Sequence, residues 1–127
     1  MMPDVTRLDT LRARRPLIHC ISNLVTANDC ANLLLAAGAS PIMAQALPEA
    51  EEITAASAAS VLNTGTPDDE KFRLCLACGR AASALGHPTV LDPVGIGASR
   101  WRLQSIQGML HLFTPSILRV NLGEARA

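Results

Sequence analysis

Short apolar runs alternate with amphipathic stretches along most of the chain. The runs fall at 16–22, 39–44, 59–63, 88–93 and 116–121, and none alternates apolar with polar positions. Unbroken apolarity over so few residues predicts strands covered on both faces. The stretches between them have helical spacing and readable ends. The segment 25–37 places Ala27, Cys30, Ala31 and Leu34 on one side and stops at Gly38, a natural C-cap. The segment 48–57 opens with Pro48 and carries Glu49, Glu51 and Glu52, which suit the positive end of a helix dipole. Thr66, Pro67 and the carboxylates of 68–70 predict a helix with Thr66 as N-cap and Pro67 in its first turn, ending at Gly86. That helix lines up Phe72, Cys75, Leu76, Gly79 and Ala82. Further helices are expected within 100–112 and near 4–14. Strands alternating with helices mean βαβ units, so the fold class is α/β with a mainly parallel sheet and flanking helices.

With 127 residues and no repeat, charge run or linker, the chain reads as one domain spanning 1–127. Eleven basic and eleven acidic residues cancel, which removes the electrostatic footprint of a nucleic-acid binder or an anionic-membrane binder. Only Phe72, Trp101 and Phe113 are aromatic, too few for base stacking. Charges occupy the opening residues where a secretory signal needs its apolar stretch, so a cytoplasmic protein is expected. No apolar run approaches a membrane span. Cys75 and Cys78 form a lone C-x-x-C inside a helical pattern, where i and i+3 share a face. Two buried small hydrophobes explain it better than metal or redox chemistry.

Ligands of open α/β sheets bind beyond the carboxyl ends of the strands. The residues there are Ser22-Asn23, Met43-Ala44-Gln45, Asn63-Thr64-Gly65, Asp92-Pro93-Val94-Gly95 and Arg119 to Asn121. Carboxamides, a carboxylate and a guanidinium on one rim suit a polar, phosphate-bearing small molecule. Asp92 can order Mg²⁺ and its waters, or hydrogen-bond its own turn. Arg119, inside an apolar run, pairs either with a phosphate or with a structural carboxylate. Asn121 and Glu124 are either a capping box or a carboxylate aimed at a metal. Met43 is either core or ligand contact, and His19 reads as a hydrogen-bonded core residue. His87 and His111 show no partner in the sequence. GIGASR has Arg100 where a dinucleotide fingerprint needs its third glycine, and no Walker A sequence occurs.

HCISN, ASPIMA, LNTGT, DPVGIGAS and LRVNLGE, in that order, resemble the hydroxyethylthiazole kinases of thiamine salvage, from about Arg15 to Glu124. The resemblance implies a ribokinase-like fold and phosphorylation of the hydroxyl of 4-methyl-5-(2-hydroxyethyl)thiazole with Mg²⁺ and ATP. It also implies a homo-oligomer, a trimer in the family. By the same resemblance Met43 touches the thiazole and Asn23 helps shape its pocket. Arg119 and Asn121 lie at ATP, while Asp92 and Glu124 organise the metal. Val120 stands where the family usually has glycine. The family's glycine-rich Gly-Thr-Gly-Cys stretch, which carries the catalytic residue, does not occur in these 127 residues, so no catalytic residue is assigned. Asn121 to Glu124 begins a helix that stops at Ala127, and isolated short helices are marginal. The expectation is an N-terminal, truncated form of such a kinase with little turnover. The alternatives are a non-catalytic remnant that binds thiazole or docks on an intact subunit, and an unrelated ribokinase-like sugar or pyrimidine kinase.

Overall fold

Each apolar run contributes a strand: β1 (Leu17–Ile21), β2 (Ser40–Ile42), β3 (Ala59–Asn63), β4 (Thr89–Asp92) and β5 (Ile117–Leu118). The computed structural model describes residues 4–127. Six helices separate or flank the strands: α1 (Thr6–Arg14), α2 (Ala27–Ala37), α3 (Ala50–Ala56), α4 (Asp69–Leu85), α5 (Arg100–Leu112) and α6 (Leu122–Ala125). All pairings are parallel and the order is β2-β1-β3-β4-β5. The chain steps one way from β1 to β2, then back across β1 to β3, β4 and β5. Right-handed crossovers therefore place α2 on one face and α3, α4 and α5 on the other.

That division decides what is buried. Ile21, Leu62 and Leu91 lie side by side in register and are fully buried under Leu74, Cys75 and Cys78 of α4 and Ile106 and Met109 of α5. The neighbouring row, Cys20, Val61, Val90 and Ile117, points to the opposite face. Cys20 is buried, Val61 and Val90 are half-buried, and Ile117 is 59% exposed. Coverage on both faces thus fails over β3 to β5, because the helix on that side, α2, packs against β2.

The ends of α2 and α4 follow their glycine signals, but the start of α4 departs from its sequence signal. Gly38 and Gly86 close α2 and α4 in the left-handed region, at φ 103° and 71°. A 3₁₀ turn at Leu47–Glu49 leads into α3. The N-cap of α4, however, is Asp68, whose side chain accepts from Lys71 N at 2.6 Å, and Pro67 lies outside the helix. Thr66 sits at φ 50° with its hydroxyl accepting from Leu24 N at 3.2 Å. Its oxygen is drawn off by a contact 42 residues away, which leaves the cap to the next good acceptor. The single turn α6 is held by a reciprocal capping box between Asn121 and Glu124. Among the described residues no helix is long and apolar enough to cross a membrane.

Candidate functional site

Strand order reverses at β1, so the connections leaving β1 and β3 diverge to opposite faces and open a crevice between their carboxyl ends. The residues at the ends of β1, β3, β4 and β5 meet there in one hydrogen-bonded line. Asn23 Oδ1 accepts from Val25 N and Thr26 N, both at 2.9 Å, which fixes the loop into α2. Asn23 Nδ2 donates to Asn63 Oδ1 at 3.2 Å, and Asn63 Nδ2 donates to Asp92 Oδ2 at 3.1 Å. Arg119 Nη1 donates to the same Asp92 oxygen at 3.0 Å. Gly65 closes over the two asparagines. A Cβ there would stand 2.8 Å from Asn23 Cβ and 2.9 Å from Asn63 Oδ1.

Asp92 is 9% exposed. Its carboxylate does not cap its own turn, one of the two sequence readings; its partners are Asn63 and Arg119. Oδ1 has no hydrogen-bond partner among the described residues. Arg119 is not a buried guanidinium: its side chain is 75% exposed. The edge strand β5 is two residues long, so Arg119 lies past its end and reaches along the strand tips to Asp92. Of its two readings the structure shows the ion pair. For Asn121 and Glu124 it shows the capping box, with one addition. Glu124 Oε1 also accepts from Gly95 N at 3.2 Å, in a turn where Gly95 takes φ 63°. This ties the carboxylate of α6 to the loop after Asp92.

Asn23, Asp92, Arg119, Asn121 and Glu124 all line one groove of about 730 Å³, whose apolar wall is Cys20, Cys30, Leu33 and Val61. Val120 lines it as well. Asp92 and Glu124 are hard oxygen donors of the kind Mg²⁺ selects, and that ion is commonly held by one or two carboxylates with phosphate and water completing its shell. No group of three or more His, Cys, Asp or Glu side chains that could hold a metal ion occurs among the described residues.

Met43 does not join this groove. It is half-buried at the end of β2, on the far side of β1. The adjacent Ala44 carbonyl accepts from His19 Nε2 at 2.7 Å, which requires the proton on Nε2 and leaves Nδ1 facing the Thr54 hydroxyl at 3.5 Å. His19 is fully buried, as its strand position predicts. His87 does have a partner, the Thr54 carbonyl at 3.3 Å. Cys75 and Cys78 are fully buried, and burial pushes the Cys75 thiol from 9.0 up to about 12.

Two residues of this region carried no role in the sequence reading. Asn63 was visible only as a rim carboxamide. Lys71 gave no signal, because a lysine in the first turn of a helix normally faces water. Here it is 9% exposed, and its ammonium donates to the Ser22 carbonyl at the end of β1. Burial pushes its pKa down. Gln45 Nε2 reaches the same carbonyl at 3.4 Å. Leu24, Gln45, Thr66 and Lys71 line a second cavity of about 240 Å³.

Comparison with known proteins bears on the fold and the family. Residues 8–127 match the model of the hydroxyethylthiazole kinase family. A hydroxyethylthiazole kinase of Herpetosiphon aurantiacus is 51% identical over 118 residues, which cover 93% of this chain and 43% of that protein. One from Desulfovibrio desulfuricans is 52% identical over 103 residues, covering 81% and 36%. The solved structure of hydroxyethylthiazole kinase from Pyrococcus horikoshii superposes with a TM-score of 0.92 at 42% identity, over 97% of this chain and 48% of that one. The chain spans under half the length of these relatives. Motif order, fold and sequence identity agree over nearly its whole length, and the chain belongs to the hydroxyethylthiazole kinase family.

Proposed function

We propose that this chain carries the substrate-side and metal-side rim of a kinase that moves the γ-phosphoryl group of ATP to the hydroxyl of 4-methyl-5-(2-hydroxyethyl)thiazole. The observation that carries this reading is the line Asn23–Asn63–Asp92–Arg119 at the strand-order reversal, in a chain of this family. Asp92 and Glu124 would hold Mg²⁺, which supplies charge neutralisation at the phosphates when bound. Arg119, exposed and engaged by one carboxylate oxygen, is placed to exchange that partner for a phosphate. Asn121 lies beside it at the nucleotide end. Asn23 shapes the thiazole pocket from the groove; Met43 lies outside the groove at the end of β2, and its contact with the ring rests on the family resemblance alone. No proton-transfer residue is assigned among the 127, so low turnover is expected of the chain by itself and ligand binding is the primary observable.

Calorimetry with Mg·ATP and with the thiazole alcohol tests this on the wild-type chain, Asp92→Asn and Arg119→Ala. A charge-assisted hydrogen bond contributes about 1.5–3 kcal/mol, so each substitution should weaken Mg·ATP binding roughly tenfold or more. Thiazole affinity should change little. A folded chain that binds neither ligand overturns the proposal. The uncovered face of β3 to β5, with Ile117 59% exposed, favours a second reading: a non-catalytic chain that binds the thiazole or docks on an intact subunit. Mass spectrometry separates the two. A phosphoester formed by the wild-type chain and lost in Asp92→Asn marks a kinase, and thiazole binding without product marks the second reading.

A further inference from the structure

The kinase reading assigns work to Asp92 and Arg119 but none to Asn63, which sits between Asn23 and the carboxylate and makes three side-chain hydrogen bonds. Its orientation is unambiguous. The Gly65 amide can only donate, so the Asn63 atom 2.8 Å away is Oδ1, and Nδ2 is left to donate to Asp92 Oδ2. The same Oδ1 accepts from Asn23. Gly65 backbone lies so close to both asparagines that a methyl group there would collide with each. Asn63 therefore has little room to turn and presents a fixed donor to Asp92. The other donor on that oxygen is different in kind. Arg119 is 75% exposed, and a water-exposed ion pair on a long side chain restrains its partner weakly.

We propose that Asn63, and not Arg119, is the positioning residue that holds Asp92 in one rotamer with Oδ1 turned to the groove. Arg119 is then free to leave for an anionic ligand without releasing the carboxylate. The inference rests on the kinase reading for what Oδ1 meets, a divalent cation, but not for the restraint itself.

The test uses isotope-labelled 127-residue chain. The Asp92 χ1 rotamer is read from three-bond couplings without ligand in the wild type, Asn63→Ser and Arg119→Gln. Mg²⁺ is then titrated while the Gly95 amide is followed. A single rotamer is expected in the wild type and in Arg119→Gln, and rotamer averaging in Asn63→Ser, which should need about tenfold more Mg²⁺ for the half-maximal Gly95 shift. If Asn63→Ser does not fold, the isosteric Asn63→Asp serves. It keeps the Gly65 and Asn23 acceptor but turns a carboxylate oxygen on Asp92, which should release it. A single rotamer in whichever Asn63 variant folds, or averaging in Arg119→Gln, overturns the proposal. If the rotamers behave as expected but Mg²⁺ leaves Gly95 unmoved in the wild type, the metal role of Asp92 and Glu124 falls while the positioning role stands.

Discussion

Gly79 and Gly108 occupy the interiors of α4 and α5, and replacing each by alanine separates helix propensity from packing. In an exposed helix interior Gly→Ala gains about 0.5–1 kcal/mol, because glycine loses more backbone freedom on folding. Gly108 is such a site: it is exposed, and a Cβ there meets nothing within 4 Å. At Gly79 the same Cβ would stand 2.4 Å from two ring carbons of Phe113. Phe113 is 5% exposed and belongs to the core cluster, so the ring has nowhere to go. It would have to retreat by about 1 Å to reach ordinary contact distance. Overpacking a tight core costs about 1–3 kcal/mol, and this contact belongs at the upper end. Subtracting the propensity gain leaves Gly79→Ala destabilised by roughly 2 kcal/mol. For a chain of this size 1 kcal/mol moves Tm by roughly 3–6 °C, so Gly79→Ala should melt about 6–12 °C lower and Gly108→Ala a few degrees higher. Thermal and urea unfolding by circular dichroism and Trp101 fluorescence would measure both. Adding Phe113→Leu to Gly79→Ala should recover part of the loss, as a coupling of about 1 kcal/mol in the double-mutant cycle. Gly79→Ala as stable as Gly108→Ala, or strict additivity with Phe113→Leu, refutes the account.

Two further expectations come from burial and capping. Cys75 keeps its proton to about 12 in the folded chain, against 9.0 for a free thiol. Its contribution to stability is fully present below pH 9.0 and is lost as pH rises towards about 12. The slope reaches at most roughly 1.4 kcal/mol per pH unit. Urea midpoints at pH 8, 9.5 and 11 should therefore fall more steeply for the wild type than for Cys75→Ala, and parallel curves would contradict the burial argument. Asp68→Ala should cost about 0.5–2 kcal/mol by uncapping α4, and Thr66→Ala less, since Thr66 caps no helix. Equal losses in chemical denaturation would return the cap to Thr66.

Most of the elements were legible because their signals are local. Apolar runs and the glycines at 38 and 86 act within one or two turns, and the structure keeps them. The rim was legible as well, since a parallel α/β sheet sends its strand ends to one side. The failures share a cause. Thr66 lost its capping role to Leu24, 42 residues away, and Lys71 was buried by a bond to Ser22, 49 residues away. Both β1–α2 loop contacts arise from crossovers whose direction no local pattern specifies.

The amino-acid sequence by itself determined the alternation of strands and helices, the glycine C-caps of α2 and α4, the family motifs and the polar residues of the rim. These depend on side-chain chemistry read over a few neighbours. Tertiary structure alone decided the order β2-β1-β3-β4-β5, and with it the groove at the reversal, the open face of β3 to β5, and the exposure of Arg119. It also decided which rim residues touch. Asn23 meets Asn63, and Asn63 meets Asp92, across 40 and 29 residues of chain, contacts that exist only once the strands lie side by side.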